Sequence, residues 1–368
     1  MHISLRRRRP GLSVRVMRWL LLLIISVSAV RAQPIVNIET VTVGDAGNAA
    51  DDTGYGAVGD VFAIGKYEVT INQYTTFLNS VAAVTSESYL INLWSHYMES
   101  KGNIAGISRS GDGTLVSPYR YLVIGSGNRP ISYVSWFDAA RFANWINNGA
   151  TNGASTETGA YTLNGATNGV GFTKNPGATC WIPSENEWYK AAYYKGGGTN
   201  AGYWVYPTQS DTAPGNLIGG VANQANYYNG VYAVTQSSDY SDSINYLTDA
   251  GAFSGSAGAY DTFDQGGNMF EWNDAVIGSS RGIRGGSWAN GLVITVRSSD
   301  RGYDVPSSER SFVGFRVASV SAPVTNVILT VEEAATLSGD WQFVTEINVG
   351  PMTNTSEFYR LKIRTVVE

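Results

Sequence analysis

Few residues in this chain can do covalent or metal chemistry. Among its 368 residues Cys180 is the sole cysteine, and the two histidines are His2 and His96. One thiol closes no disulfide within the chain. A Cys/His zinc centre needs about four such ligands, so that chemistry is excluded. A Ser-His-Asp triad would have to run through His96, and no nucleophile elbow stands beside it. What remains is the chemistry of hard oxygen donors, amides and aromatic surface. Asp45, Asp51, Asp52 and Asp60 lie among glycines between Gly44 and Asp60, but without the spacing or the terminal Glu of an EF-hand. They read as a solvated acidic loop.

The densest chemistry lies between Asp264 and Arg316. Two glycine pairs, Gly266-Gly267 and Gly285-Gly286, are each followed closely by a tryptophan, Trp272 and Trp288. Arginines stand at 281, 284, 297, 301, 310 and 316, among the acids Asp264 and Glu271. Glycine lets the backbone turn sharply or approach another segment closely, and the aromatics after it fill a core. The stretch predicts an irregular, tightly crossed core with most arginines paired. Cys180 reads as a buried small hydrophobe.

Three helices must position this stretch, and each carries its own start signal. Thr70 with Gln73, Ser135 with Asp138 and Ser184 with Glu187 form capping boxes. Tyr74, Phe77, Leu78 and Val81 follow the first at helical spacing; Ala139, Phe142, Ala143 and Ile146 follow the second. Trp188, Ala191 and Ala192 share a face of the third, which Gly196–Gly198 terminate. Before the first helix, the β-branched run 35–43 reads as strand. Residues 85–128 and 147–178 are rich in Gly, Ser, Thr and Asn and read as long insertions.

The motifs Gly267-Asn268-Met269-Phe270-Glu271-Trp272, Arg284-Gly285-Gly286-Ser287-Trp288 and Gly314-Phe315-Arg316 resemble the C-terminal half of the formylglycine-generating enzyme, or sulfatase-modifying factor, family. Lys66-Tyr67-Glu68-Val69-Thr70, Asn128-Arg129-Pro130-Ile131 with Val134-Ser135-Trp136, and Trp181 to Trp188 extend the likeness. It spans roughly residues 35–319. The resemblance implies an α+β, C-type-lectin-like fold with little regular secondary structure. It also implies two calcium sites. One would use Asp264, the main-chain oxygens of Gln265, Gly267 and Met269, and Glu271; an arginine such as Arg284 or Arg316 competes for Glu271. The other would use Asn226, Tyr227 and Asp239 or Asp242. A ligand cleft would be lined by Ser287, Trp288, Asn290, Ser298 and Arg301. The family's enzymes hold copper(I) on two cysteines after the R-G-G-S motif, whereas Asn290 and Thr295 stand at those positions here. Amides and hydroxyls do not suit that soft ion, so no copper is expected. Asn, Ser and Trp together suit a neutral polar ligand such as a sugar or peptide.

The whole chain adds bounds. Arg6–Arg9, Arg15 and Arg18 precede the apolar run 19–30, and Val30-Arg31-Ala32 offers a cleavage site, so residues 1–32 read as an export signal with a mature start at Gln33. The run is short of the roughly 20 residues a span requires, so no stable anchor is expected after cleavage. The formal count is 25 basic against 30 acidic residues, and 1–32 contain seven arginines and no acid, leaving 18 against 30, or −12. Such a surface disfavours nucleic acid and anionic membranes and suits calcium. The domain is expected over 33–320, followed by a linker and a small β-appendage over 321–368 whose Trp341, Phe343, Phe358, Tyr359 and Leu361 supply an apolar face. The reading is an exported, secreted or periplasmic, non-catalytic binding protein. An oxidase using other residues, or a surface component docked through the appendage, are the alternatives.

Overall fold

The computed structural model describes residues 36–321, 326–333 and 342–351. The signal segment and most of the appendage's aromatic face lie outside them.

All three helices begin at their predicted caps. Helix α1 (Ile71–Val81), α4 (Trp136–Asn147) and α5 (Glu185–Tyr193) have reciprocal capping boxes at Thr70/Gln73, Ser135/Asp138 and Ser184/Glu187. Each cap satisfies two backbone donors that a helix start otherwise leaves unpaired. The apolar stripes of α1 and α4 meet in one aromatic core. Tyr74 and Phe142 stack at 6.2 Å, Phe77 packs on Trp145 at 5.3 Å, and Phe315 of the closing Gly-Phe-Arg motif meets Phe142 at 5.4 Å. Trp136, Trp145, Trp188 and Trp272 are fully buried. Two single-turn helices, α2 (Ser88–Ile91) and α3 (Tyr97–Ser100), and the hairpin of β3 (Ile107–Ser110) with β4 (Arg120–Val123) occupy the first insertion.

Two sheets flank the helices. The first has the order β1 (Thr40–Val43), β2 (Phe62–Gly65), β10 (Ala318–Val320), β5 (Cys180–Trp181), all antiparallel. Because β10 pairs with β2, Ala318 opposite Ile64, the domain's last strand closes on one of its first. The second sheet has the order β8 (Gly302–Asp304), β7 (Ser280–Arg284), β6 (Phe270–Ile277), β9 (Val313–Gly314), with β6 and β9 parallel. It places Glu271 opposite Arg284 on one side and beside Gly314 on the other. A separate hairpin pairs β11 (Asn326–Glu333) with β12 (Gln342–Pro351).

The acidic loop is exposed at Asp52 and Asp60 as expected, but Asp45 and Asp51 differ from the solvated reading. Asp45 accepts from Tyr260 Oη at 2.9 Å and Gly197 N at 3.2 Å, and its own carbonyl takes the buried Lys190 Nζ at 2.9 Å. Asp51 accepts from the Tyr189 hydroxyl. These contacts tie the loop to α5 and the turn after it, a use of acids that spacing alone does not reveal.

Candidate functional site

The arginines of the 264–316 stretch are paired as expected, Arg297 excepted. Arg281 pairs with Asp274 at 2.7 Å and Arg310 with Asp304 at 2.8 Å. Glu185, in the first turn of α5, takes both Arg284 and Arg301, at 2.8 and 2.7 Å. Arg284 is therefore unavailable to Glu271, and Arg316 takes it. Arg316 Nε and Nη2 each lie 2.6 Å from a Glu271 oxygen, and Trp188 Nε1 donates to Oε2 at 2.8 Å. Neither partner is exposed to solvent. Arg316 also donates to the carbonyls of Gly65 and Phe263 at 2.9 and 2.8 Å. One guanidinium thus joins β6 to the end of β2 and to the loop before the Gly-Gly turn. A charge desolvated this far persists only with paired and bonded neighbours.

Two further acids crowd this node. Glu68 is buried, and neither carboxylate oxygen has a hydrogen-bond partner among the described residues. Burial, then the charges of Asp264 and Glu271, push it well above the ordinary carboxylate range, against the pull of Arg316. Asp264, at φ 59°, accepts from Gly251 N at 2.6 Å, and burial lifts it to about 6.

These contacts decide what a cation would find. Both Glu271 oxygens are occupied by Arg316 and Trp188, so the second carboxylate of the expected calcium set serves the ion pair. Asp264 and the main-chain oxygens of Gln265, Gly267 and Met269 keep the hard-oxygen character calcium prefers, with one free acid rather than two. Among the described residues no three His, Cys, Asp or Glu side chains converge closely enough to hold a metal. In the other set, buried Asn226 bonds Asn268 Oδ1 at 3.0 Å and the Tyr246 carbonyl at 2.9 Å. The Tyr227 hydroxyl is spent on Pro214 O. Asp239 is exposed, and Tyr246 links it to Asn226, using its carbonyl on the asparagine and its hydroxyl on the Asp239 main chain.

The Arg-Gly-Gly-Ser-Trp loop builds the second part of the site. Gly285 at φ 101° and Gly286 at φ 74° turn the chain where a side chain would strain it. Ser287 is buried, and its N–H and hydroxyl both reach Asn290 Oδ1, at 2.8 and 2.7 Å. The two positions where the family carries cysteines hold Asn290, which braces this turn, and Thr295, whose hydroxyl bonds Leu292 O at 2.9 Å. Cys180 lies in the other sheet, buried, its thiol pushed up to about 12 by desolvation. Ser298 is buried and Arg301 is held by Glu185. Of the expected cleft residues, Ser287, Trp288 and Ser298 are buried, Asn290 is half-buried and Arg301 stays exposed beside Glu185.

What does reach solvent is a stack of rings. Trp288 lies parallel to Tyr246 at 5.3 Å and 7°, and Tyr246 to Tyr240 at 5.5 Å and 14°. Tyr232 packs against Tyr246 at 4.5 Å and Tyr228 against Tyr232 at 4.7 Å. Trp288 and Tyr246 are buried whereas Tyr240 is 49% exposed, so the stack runs from core to surface. At its outer end Tyr240 Oη accepts from Asn103 Nδ2 at 2.7 Å and donates to Asp242 Oδ1 at 2.9 Å. Tyr228 N–H bonds Asn290 O at 3.0 Å, which places the loop beside the stack. Sequence reasoning missed Tyr228, Tyr232, Tyr240, Tyr246 and Asn103. The available signal was five tyrosines between 227 and 246 in a stretch otherwise composed as a loop. At the surface the stack ends in the half-exposed ring of Tyr240, with the carboxylate of Asp242 at its edge.

Residues 40–320 match the family model of the sulfatase-modifying factor enzyme 1-like domain. No curated protein matches the chain. Among solved structures, CarF is 19% identical with TM-score 0.44, over 78% of this chain and 100% of its own. Treponema denticola variable protein 1 is 18% identical with TM-score 0.43, over 78% of this chain and 96% of its own. PvdO from Pseudomonas aeruginosa is 18% identical with TM-score 0.38, over 78% and 93%.

Proposed function

The chain belongs to the sulfatase-modifying factor enzyme 1-like family, and from that premise we propose that it is an exported binding member of the family rather than a formylglycine-forming oxidase. The single observation that carries this is the ring stack Trp288–Tyr246–Tyr240 beside the Arg-Gly-Gly-Ser-Trp loop. A lone buried thiol in another sheet cannot supply the paired thiolates copper(I) requires. Tyr240 instead presents a half-exposed ring with the exposed Asp242 at its edge to meet hydroxyls, and the buried Asn103 fixes its hydroxyl. A sugar ring, with one apolar face and a rim of hydroxyls, fits that chemistry; an extended peptide with an aromatic anchor is the other neutral ligand it suits. Calcium at Asp264 would act on stability, at a distance in sequence from the stack. Export rests on the basic-apolar start of the sequence.

Titration calorimetry against a panel of neutral oligosaccharides, with wild type and Tyr240→Ala, tests the reading. Loss of one stacking ring should weaken binding about tenfold or more, the factor that 1.4 kcal/mol gives. Binding unchanged by Tyr240→Ala would move the site elsewhere. The enzymatic alternative is tested separately: copper-dependent conversion of a sulfatase-type cysteine peptide in air would overturn the non-catalytic assignment.

A further inference from the structure

A well-shaped cavity that shares no lining residue with the ring stack lies at the seam where the domain closes. It has a volume of about 610 Å³ and is lined by Val61, Phe62, Lys174, Trp181, Val320 and Ser321, with Asp60 and Glu187 at its acidic side. That volume is within the range of about 300–1,000 Å³ that pockets use. Its floor is Trp181, which is buried under Lys174 Nζ at 3.8 Å. Its rim is apolar and exposed: Val61 is 45% and Val320 53% accessible. Asp60 enters none of the ion pairs among the described residues.

We propose that this cavity is the docking groove for the chain's own C-terminal run Phe358–Arg364. Three observations point to that occupant. First, Val320 and Ser321, where the domain ends, form part of the cavity wall, so everything after them is tethered at the mouth. Second, the hairpin returns the chain there. Asn326 is five residues beyond Ser321, at most about 17 Å away when extended. The β11–β12 register pairs Asn326 with Pro351, so Pro351 lies about 5 Å from Asn326. The seven residues from Pro351 to Phe358 span up to about 23 Å, enough to reach back to the groove. Third, the run matches the groove chemically. Tyr359, Leu361 and Ile363 alternate with Arg360, Lys362 and Arg364, so an extended chain shows an apolar face and a basic one. The apolar face suits the exposed Val61 and Val320. The basic side chains, on long flexible stems, can bend to the rim, where Asp60 enters no ion pair among the described residues.

Short tethers of this kind raise local concentration to about the millimolar range, so even a weak contact would be occupied. Lys174 reports occupancy, since its side chain is 41% accessible in the open groove. The experiment measures acetylation rates by mass spectrometry on the full mature chain, comparing wild type with Tyr359→Ser/Leu361→Ser/Ile363→Ser. Lys174 should react about tenfold faster in the triple variant, while exposed Lys101 reacts equally in both. A synthetic peptide of residues 356–366 added to the variant should slow Lys174 again, and a scrambled peptide should not. Equal Lys174 rates in both proteins would overturn the proposal and leave the run to pair elsewhere, as with the hairpin. Faster Lys174 accompanied by faster Lys101, with no rescue by the peptide, would overturn it too, because unfolding then explains the change.

Discussion

Neutralising Glu271 as Glu271→Gln perturbs the node on which the domain's two halves meet. The substitution keeps shape and leaves Trp188 Nε1 an acceptor, but Arg316 loses both bonds to a charged partner. The guanidinium remains fully buried with main-chain carbonyls of Gly65, Lys66 and Phe263. Breaking one side of a buried pair costs about 3–5 kcal/mol, a large share of a total stability of about 5–15 kcal/mol. The structure adds a correction. Glu271 helps raise Glu68 and Asp264, and Arg316 lowers both. With Glu271 neutral, either acid ionises more readily and replaces part of the lost charge. The loss should therefore sit near the lower end of that range above about pH 7, where Asp264 is ionised, and near the upper end at about pH 5, where Asp264 stays protonated. Denaturant unfolding followed by tryptophan fluorescence reads this directly, at two pH values, for Glu271→Gln, Arg316→Met and the double variant. Removing both charges leaves neither stranded, so the double variant should be more stable than the sum of the single losses allows. A loss below about 1 kcal/mol for Glu271→Gln, or strict additivity in the cycle, would refute the argument.

Calcium should raise the melting temperature of metal-free protein, and Asp264→Ala should abolish the response; at 100 times the dissociation constant a native-state ligand adds about 2.7 kcal/mol, so equal melts with calcium and chelator would remove the site. Burial raises Asp138 and Asp264 to about 6, and Asp274 and Glu309 to about 7. Acids raised on folding stabilise fully below their ordinary range near 4 and lose that contribution as pH climbs through the folded values, so melting temperature should fall between about pH 4 and pH 7; a rise across that window would contradict it. Burial of Asp304 is outweighed by its bonds to Arg310, the Val305 N–H and Ser308, leaving it low, and it acts oppositely only in more acid solution. Gly285→Ala should cost at least about 1 kcal/mol, because its Cβ would stand 2.7 Å from Gln265 O at φ 101°; a melt within a degree of wild type would show that the turn can move.

The sequence by itself determined what depends on neighbours along the chain. A capping box is a contact between residues three apart, so Thr70, Ser135 and Ser184 mark helix starts whatever packs around them. The Arg-Gly-Gly-Ser-Trp and Gly-Phe-Arg motifs were sufficient for the family and its α+β fold, and one cysteine was sufficient to exclude a thiolate pair. Tertiary structure decided everything that is a choice among distant partners. That arginines would pair was legible; that Glu185 takes Arg284 and Arg301, leaving Arg316 for Glu271, was not. Each pairing depends on which strand the sheet lays beside which, and no local rule ranks arginines 13, 30 and 45 residues from Glu271. The same holds for Ser287, Trp288 and Ser298, whose types suit a cleft but whose burial follows from the loop folding onto Tyr246 and α5. It holds most for the ring stack, since Tyr246 and Trp288, 42 residues apart, are joined through Asn226 and Asn268, which bond the Tyr246 carbonyl and the Trp288 N–H. A composition shows that tyrosines are many; only closure of the chain brings them face to face.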